Sequence, residues 1–248
     1  VELWACLLLI FHVQQQYEAV KFEIHFEFDS MALSYKTDGH FFCMALPRSI
    51  VQKKYIDLLS SRTPIVIASG PAGTGKTLLA CQAASKAFIN GQVDRIVLTR
   101  PAVSVDEQHG YLPGDLRKKM EPWTRPMFDS LYRYFTPKRV NDMVYDQQIE
   151  ICPLAYMRGR TFDRSWILGD EMQNSTPSQM KMLLTRIGEN SKVVVTGDIT
   201  QHDRTFDVNG LVDLLERLTP SESIQHVQFT EDDVVRHEVI KEILRLYN

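Results

Sequence analysis

The stretch Ser69-Gly70-Pro71-Ala72-Gly73-Thr74-Gly75-Lys76-Thr77 constrains this chain more than any other. It fits G-x-x-x-x-G-K-[ST], a loop that wraps a polyphosphate. Glycines let several backbone N–H groups turn inward toward one anion. Lys76 brings a positive charge to the outer phosphates, and Thr77 brings a hydroxyl to a magnesium ion. The flanks agree. Pro64 to Ala68 is a short apolar run that reads as a buried parallel strand, and Leu78 to Ala84 begins a helix whose N-terminus faces the phosphates. Gly70 through Thr77 are therefore the expected nucleotide-binding positions.

The 248 residues suffice for one large α/β domain with its own core. Net charge is −3, so no overall positive field draws in nucleic acid. Any such contact must come from local groups, of which Arg117-Lys118-Lys119 with Arg125 is the clearest cluster. Four cysteines form no C-x-x-C pair. That argues against a zinc site or a disulfide framework and fits a reducing compartment, so a cytoplasmic location is expected. No apolar run is long enough to span a bilayer, so no membrane partner is expected. Val1 is not an initiator methionine, and the apolar stretch Trp4 to Val13 is short and lacks a basic lead. Residues 1–46 are expected to be an N-terminal extension, either a small β element or non-native sequence. A P-loop nucleotide-binding domain is expected over 47–248.

Lys21 to Phe28 alternates apolar and polar residues as a half-buried strand does. Asp38-Gly39 signals a turn, and His40 to Leu46 follows as a second strand. Pro47 opens a helix through Leu59 that puts Gln52 and Tyr55 on one face. Gln52 stands where an amide can read adenine; a solvated polar residue is the plainer reading. Arg95 to Thr99 is a second buried strand, ended at Pro101. From Ala102 to about Gln148 the chain reads as mostly helical, with Met120, Trp123, Met127, Leu131 and Tyr134 at helical spacing. Pro122 and Pro126 are expected to kink or break it. Ile149 to Cys152 is a short strand. Trp166 to Gly169 is another and runs straight into Asp170-Glu171. Two acids at the C-terminal end of an apolar strand are what Mg-dependent hydrolysis needs: one holds the metal, the next activates a water. Thr176-Pro177 opens a helix with Gly188 as its stop. Val193 to Asp198 is a further buried strand, and Gln201 beyond its end places an amide near the γ-phosphate. Leu211 to Leu218 is a helix, Ile224 to Phe229 a last strand, and Thr230 caps a final helix. Strand and helix alternate, which predicts a mostly parallel sheet with helices on both faces.

Several ordered motifs now resemble one family. Gly70-Pro-Ala-Gly-Thr-Gly-Lys-Thr77, Thr99-Arg-Pro-Ala-Val103, Gly110-Tyr-Leu-Pro-Gly-Asp115 and Pro153-Leu-Ala-Tyr-Met-Arg-Gly-Arg-Thr161 come in the order of PhoH-like proteins. So do Asp170-Glu-Met-Gln-Asn174 with Gln179-Met-Lys-Met182, Thr196-Gly-Asp-Ile-Thr-Gln201 and Asp233-Val-Val-Arg-His237. The resemblance covers about Pro47 to Asn248. It implies an α/β fold with a single RecA-like P-loop NTPase domain related to superfamily 1 helicases. It also implies ATP and Mg²⁺ as cofactors, RNA as partner, and a homo-oligomer that in some members is a hexameric ring. By the same resemblance Lys76 and Thr77 hold phosphate and metal, Asp170 the metal, Glu171 the water, Gln201 the γ-phosphate, and Gln52 adenine. Gly169 and Met172 depart from the family, which usually has a large apolar residue and Ala there. This is expected to loosen the acidic strand end.

A lone RecA-like domain has no second lobe to supply an arginine across the nucleotide. A self-assembled ring is therefore expected, with Arg158, Arg160 or Arg236 reaching a neighbour's site. For each the plain alternative is a surface or intrachain ion pair. Two other functions compete with an RNA-coupled ATPase: a small-molecule kinase, and a non-catalytic nucleotide-binding stress-response module.

Overall fold

The structure, a computed structural model, describes residues 23–27, 32–37, 40–101, 116–201, 208–235 and 239; for 23–44 and 116–123 it describes the backbone only. Three antiparallel strands come first: β1 (Glu23–Glu27), β2 (Ala32–Thr37) and β3 (His40–Ala45). The sequence reading finds β1 and β3 and misses β2, where only Leu33 and Tyr35 are large apolar residues.

Six further strands form the main sheet: β4 (Ile65–Ser69), β5 (Arg95–Thr99), β6 (Ile149–Ile151), β7 (Ser165–Gly169), β8 (Lys192–Gly197) and β9 (Ile224–Gln228). All are parallel, in the order β6-β5-β7-β8-β4-β9. Successive side chains of a strand face opposite sides. Here both sides are apolar, so both must be covered. Val66, Ala68, Ile96, Leu98, Trp166, Leu168 and Val194 enter one core. Ile67, Val97, Ile167, Val193 and Val195 enter the other. The first core is closed by α1 (Ile50–Ser60), α2 (Lys76–Ile89), α3 (Leu116–Leu131) and α4 (Pro137–Tyr145), through residues such as Tyr55, Leu79, Met127 and Met143. The second is closed by α5 (Pro177–Leu184) and α6 (Gly210–Arg217), through Met180, Leu183 and Leu211. This is an α/β domain, an all-parallel sheet with helices on both faces. The chain leaves β4 through α2 on one face and leaves the adjacent β8 toward α6 on the other. Where neighbouring connections diverge in this way, a crevice opens at the carboxyl ends of the strands. No helix among the described residues is long and apolar enough to cross a membrane.

Three local expectations are corrected. Helix α1 starts at Ile50 instead of Pro47, because the Ser49 hydroxyl accepts from Gln52 N at 3.1 Å and sets the first turn. Helix α3 runs unbroken past Pro122 and Pro126. Spaced four apart, the two prolines remove N–H groups along one edge of the helix, and Pro126 is exposed to water there. Helix α5 ends at Leu184, with Thr185 turned back on Lys181 O and Met182 O. Gly188 serves instead as a contact: a Cβ there would lie 2.6 Å from Phe162 O.

Lys192, at the start of β8, donates to the carbonyls of Leu58, Leu59 and Ser61 at 3.0, 2.8 and 2.8 Å. It thereby closes the C-terminal end of α1. Burial pushes its pKa from an ordinary 10.5 down to about 8, while the three carbonyls favour the charged form. Between those values the unfolded chain keeps a proton that the folded chain has released, so stability rises with pH across the window. Urea unfolding of the wild type should therefore gain on Lys192→Met between pH 8 and 10, by at most about 3 kcal/mol. Parallel curves would mean that the carbonyls cancel the burial.

Candidate nucleotide site

The loop after β4 is built on close contacts that exclude side chains. Gly70 has φ +137°, and a Cβ on it would sit 2.4 Å from Phe229 O. Its N–H donates to Gly197 O at 3.1 Å, which ties the loop to the end of β8. Gly75, at φ +83°, turns the chain into α2. Helix α1 braces the loop from behind. The Gln52 amide donates to Thr74 O at 3.0 Å and accepts from Arg48 N at 2.7 Å. Tyr55 OH donates to Lys76 O at 3.4 Å.

Lys76 is almost fully buried, and its ammonium donates to Gly70 O at 2.6 Å, Pro71 O at 2.7 Å and Thr74 Oγ1 at 3.2 Å. Burial lowers its pKa; the nearby charges of Asp198, Glu171 and Asp170, in that order, oppose the fall. Thr77 Oγ1 donates to Asp170 Oδ1 at 2.7 Å, and Thr196 Oγ1 donates to the same oxygen at 2.6 Å. Glu171 follows in a left-handed backbone conformation, φ +53°. One of its carboxylate oxygens lies 3.4 Å from Arg100 Nη2, and the other accepts from Gln173 Nε2 at 2.5 Å. The Gln173 carbonyl oxygen accepts from Asp198 N at 3.1 Å, so this buried amide links the ends of β7 and β8. Asp198 Oδ2 is buried and has no hydrogen-bond partner among the described residues.

A cleft of about 280 Å³ opens among these groups. Ala72, Gly73, Gly75, Lys76 and Thr77 line it on one side, and Asp170, Glu171, Asp198 and Gln201 on the other. The structure thus brings together the loop, both acids and Gln201. Gly70, Pro71 and Thr74 instead supply oxygens to Lys76. Gln52 stands behind the loop as a brace, with both ends of its amide engaged. Arg160 lies off the cleft: it holds Glu150 of β6 through two nitrogens and stacks 4.5 Å over the Phe162 ring. Of the alternatives weighed for Arg160, this is the intrachain ion pair. Arg158 is exposed and forms no ion pair among the described residues. Arg236 lies outside the described residues, as do the side chains of Arg117, Lys118 and Lys119. Sequence reasoning missed Thr196, Gln173 and Arg100 as site residues, because each acts through a partner distant in sequence. A wider groove, about 1410 Å³, opens at the amino-terminal ends of the strands, beside Trp166 and Lys192, and holds none of the predicted site residues.

The family model for PhoH-like proteins matches residues 44–248. The chain belongs to the PhoH-like family. It is 46% identical over 205 residues to a PhoH-like protein of Mycobacterium tuberculosis (strain H37Rv), covering 81% of this chain and 57% of that one. It is 43% identical over 197 residues to a PhoH-like protein of Synechocystis, covering 79% and 60%. It is 41% identical over 206 residues to Protein PhoH of Escherichia coli K12, covering 82% and 58%. The chain thus spans about three fifths of the length of these curated PhoH-like relatives. Among solved structures, the large terminase of a thermophilic bacteriophage aligns with a TM-score of 0.48 at 12% identity, over 82% of this chain and 51% of that one.

The expectation of a loosened strand end at Gly169 is not met. A Cβ on Gly169 would lie 2.7 Å from Leu183 Cδ2 and 3.2 Å from Met172 Cγ and Sδ. Met172 is itself fully buried, so its side chain fills the space that a larger residue at 169 would take. The two departures form one exchange of volume. Gly169→Ala should destabilise by about 1–3 kcal/mol through overpacking. Combined with Met172→Ala it should lose less than the sum of the single changes, read from thermal midpoints. Strict additivity would show that the two residues do not share that space.

Proposed function

We propose that this domain binds ATP with Mg²⁺ and hydrolyses it, and that the reaction is coupled to RNA. The contact that carries the reading is Thr77 Oγ1 to Asp170 Oδ1 at 2.7 Å. It places a P-loop hydroxyl beside a strand-end carboxylate, across a cleft that also holds Lys76. Mg²⁺ needs only one or two protein oxygens when phosphates and water complete its shell, so Thr77 and Asp170 suit it. When bound, it would neutralise charge on the phosphate oxygens. The backbone N–H groups of the loop would receive the phosphates, and Lys76 would exchange Gly70 O and Pro71 O for phosphate oxygens. Glu171 would accept a proton from the attacking water, and Gln201 would orient toward the terminal phosphate.

Turnover should be measurable with ATP and Mg²⁺ and should rise with single-stranded RNA. Lys76→Ala should lose at least about 100-fold, and Thr77→Ala should raise the Mg²⁺ requirement. Phosphate delivered to a nucleoside acceptor in place of water would favour a kinase. Tight ATP binding without phosphate release, with RNA present, would favour a binding module.

RNA as partner rests on the family resemblance and on the run Arg117-Lys118-Lys119 at the start of α3. Free buried thiols at Cys81 and Cys152 suit a cytoplasmic location. A second copy of the chain could complete the site with an arginine, which would make the working form a homo-oligomer. Such an arginine is worth about 10³–10⁵ in rate in related enzymes. Arg158 and Arg236 are the arginines to test. Arg158→Ala or Arg236→Ala protein mixed with Lys76→Ala protein should recover turnover where the arginine acts across subunits. Arg160→Ala should instead lower stability, because it strips a part-buried ion pair from β6. Failure of every mixture to recover activity would remove the case for a shared site.

A further inference from the structure

Arg100 is absent from every role assigned so far, yet it touches the acid on which hydrolysis depends. The register of the sheet brings this about. Strands β5 and β7 pair with Thr99 opposite Gly169, and the ladder continues one step further, with Asp170 N donating to Thr99 O at 3.0 Å. Arg100 and Glu171 therefore leave adjacent strand ends side by side. Arg100 Nη2 lies 3.4 Å from Glu171 Oε1, and Gln173 Nε2 holds the other oxygen. A carboxylate gripped at both oxygens cannot swing freely, yet each oxygen has lone-pair capacity left for a water.

We propose that Arg100 is a positioning residue that fixes the Glu171 carboxylate for water activation, from the same chain that carries the phosphate loop. The proposal rests on the reading of Glu171 as the proton acceptor. It separates two arginine functions: one from a neighbour on the nucleotide, and one in cis on the acid. A partly exposed ion pair contributes little to stability, so removing it should show in turnover and leave unfolding nearly unchanged.

The test compares steady-state ATP hydrolysis, with Mg²⁺ present, by the wild type, Arg100→Ala, Arg100→Lys and Glu171→Gln, and by Arg100→Ala in the Glu171→Gln background. Arg100→Ala should lower kcat by about 10- to 100-fold, the scale set by a misplaced reacting group, with KM for ATP within about twofold. Arg100→Lys should recover part of the loss, since an ammonium restores the charge without the planar fork. In the Glu171→Gln background the same change should lose nothing further, and mixing Arg100→Ala with Lys76→Ala protein should not restore turnover. Unchanged kcat, a rise in KM alone, an equal further loss without Glu171, or recovery on mixing would each overturn the proposal while leaving the ATPase reading intact. Absence of turnover in the wild type would overturn both.

Discussion

Strands β4 and β7 never touch, and the cleft depends on how the gap between them is held. One carries the phosphate loop at its end and the other carries Asp170-Glu171; β8 lies between and pairs with both. Two strand spacings put the outer pair about 10 Å apart. Thr77, on the first turn of α2, spans that distance by donating to Asp170, while Thr196 of β8 supports the same oxygen from below. The parallel register of these three strands thus sets the loop and the acid pair at the same end of the sheet.

The contacts behind the loop serve the same end. Gly70 is glycine because Phe229 fills the space a side chain would need, and Phe229 N in turn donates to Ser69 O at 2.7 Å. Phe229 meets Tyr55 edge to face, with centroids 5.6 Å apart, and Tyr55 and Gln52 of α1 hold Lys76 O and Thr74 O. The loop is therefore pinned by β9, β8 and α1 together. This rigidity is what a cradle of N–H groups requires, since donors set in advance need no reorganisation when charge arrives.

What could be read from the residues divides along a physical line. Strands buried on both faces appear as continuous apolar runs, so β4, β5, β7 and β8 are visible within a residue or so. Cleft residues written in contiguous motifs are visible for the same reason: the loop, the acid pair and Gln201 are local. Features set by partners far along the chain are not. Gly169 looks like a weakness until Leu183 and Met172 are seen filling its space. Gln173 looks like an ordinary polar residue until its amide is seen joining Glu171 to Asp198. Arg100 looks like the end of a strand. Prolines 122 and 126 are the reverse case, where a local rule predicts a kink or a break and the helix, with Met127 and Leu131 packed in the core, continues without interruption.

Lys76 shows how the acids and the loop depend on one another. An ammonium this buried would tend to lose its proton, because burial penalises the charged form. Asp198, Glu171 and Asp170 oppose that loss, so the three carboxylates that flank the cleft also help keep the lysine cationic. The loop's own oxygens occupy the ammonium meanwhile, at 2.6 and 2.7 Å from the carbonyls of Gly70 and Pro71. Binding of the proposed triphosphate would then exchange neutral acceptors for charged ones around a group that is already buried. The gain is the difference between those two sets of bonds. Removing an acid would therefore act twice, once on the role proposed for it and once on the charge of the residue opposite.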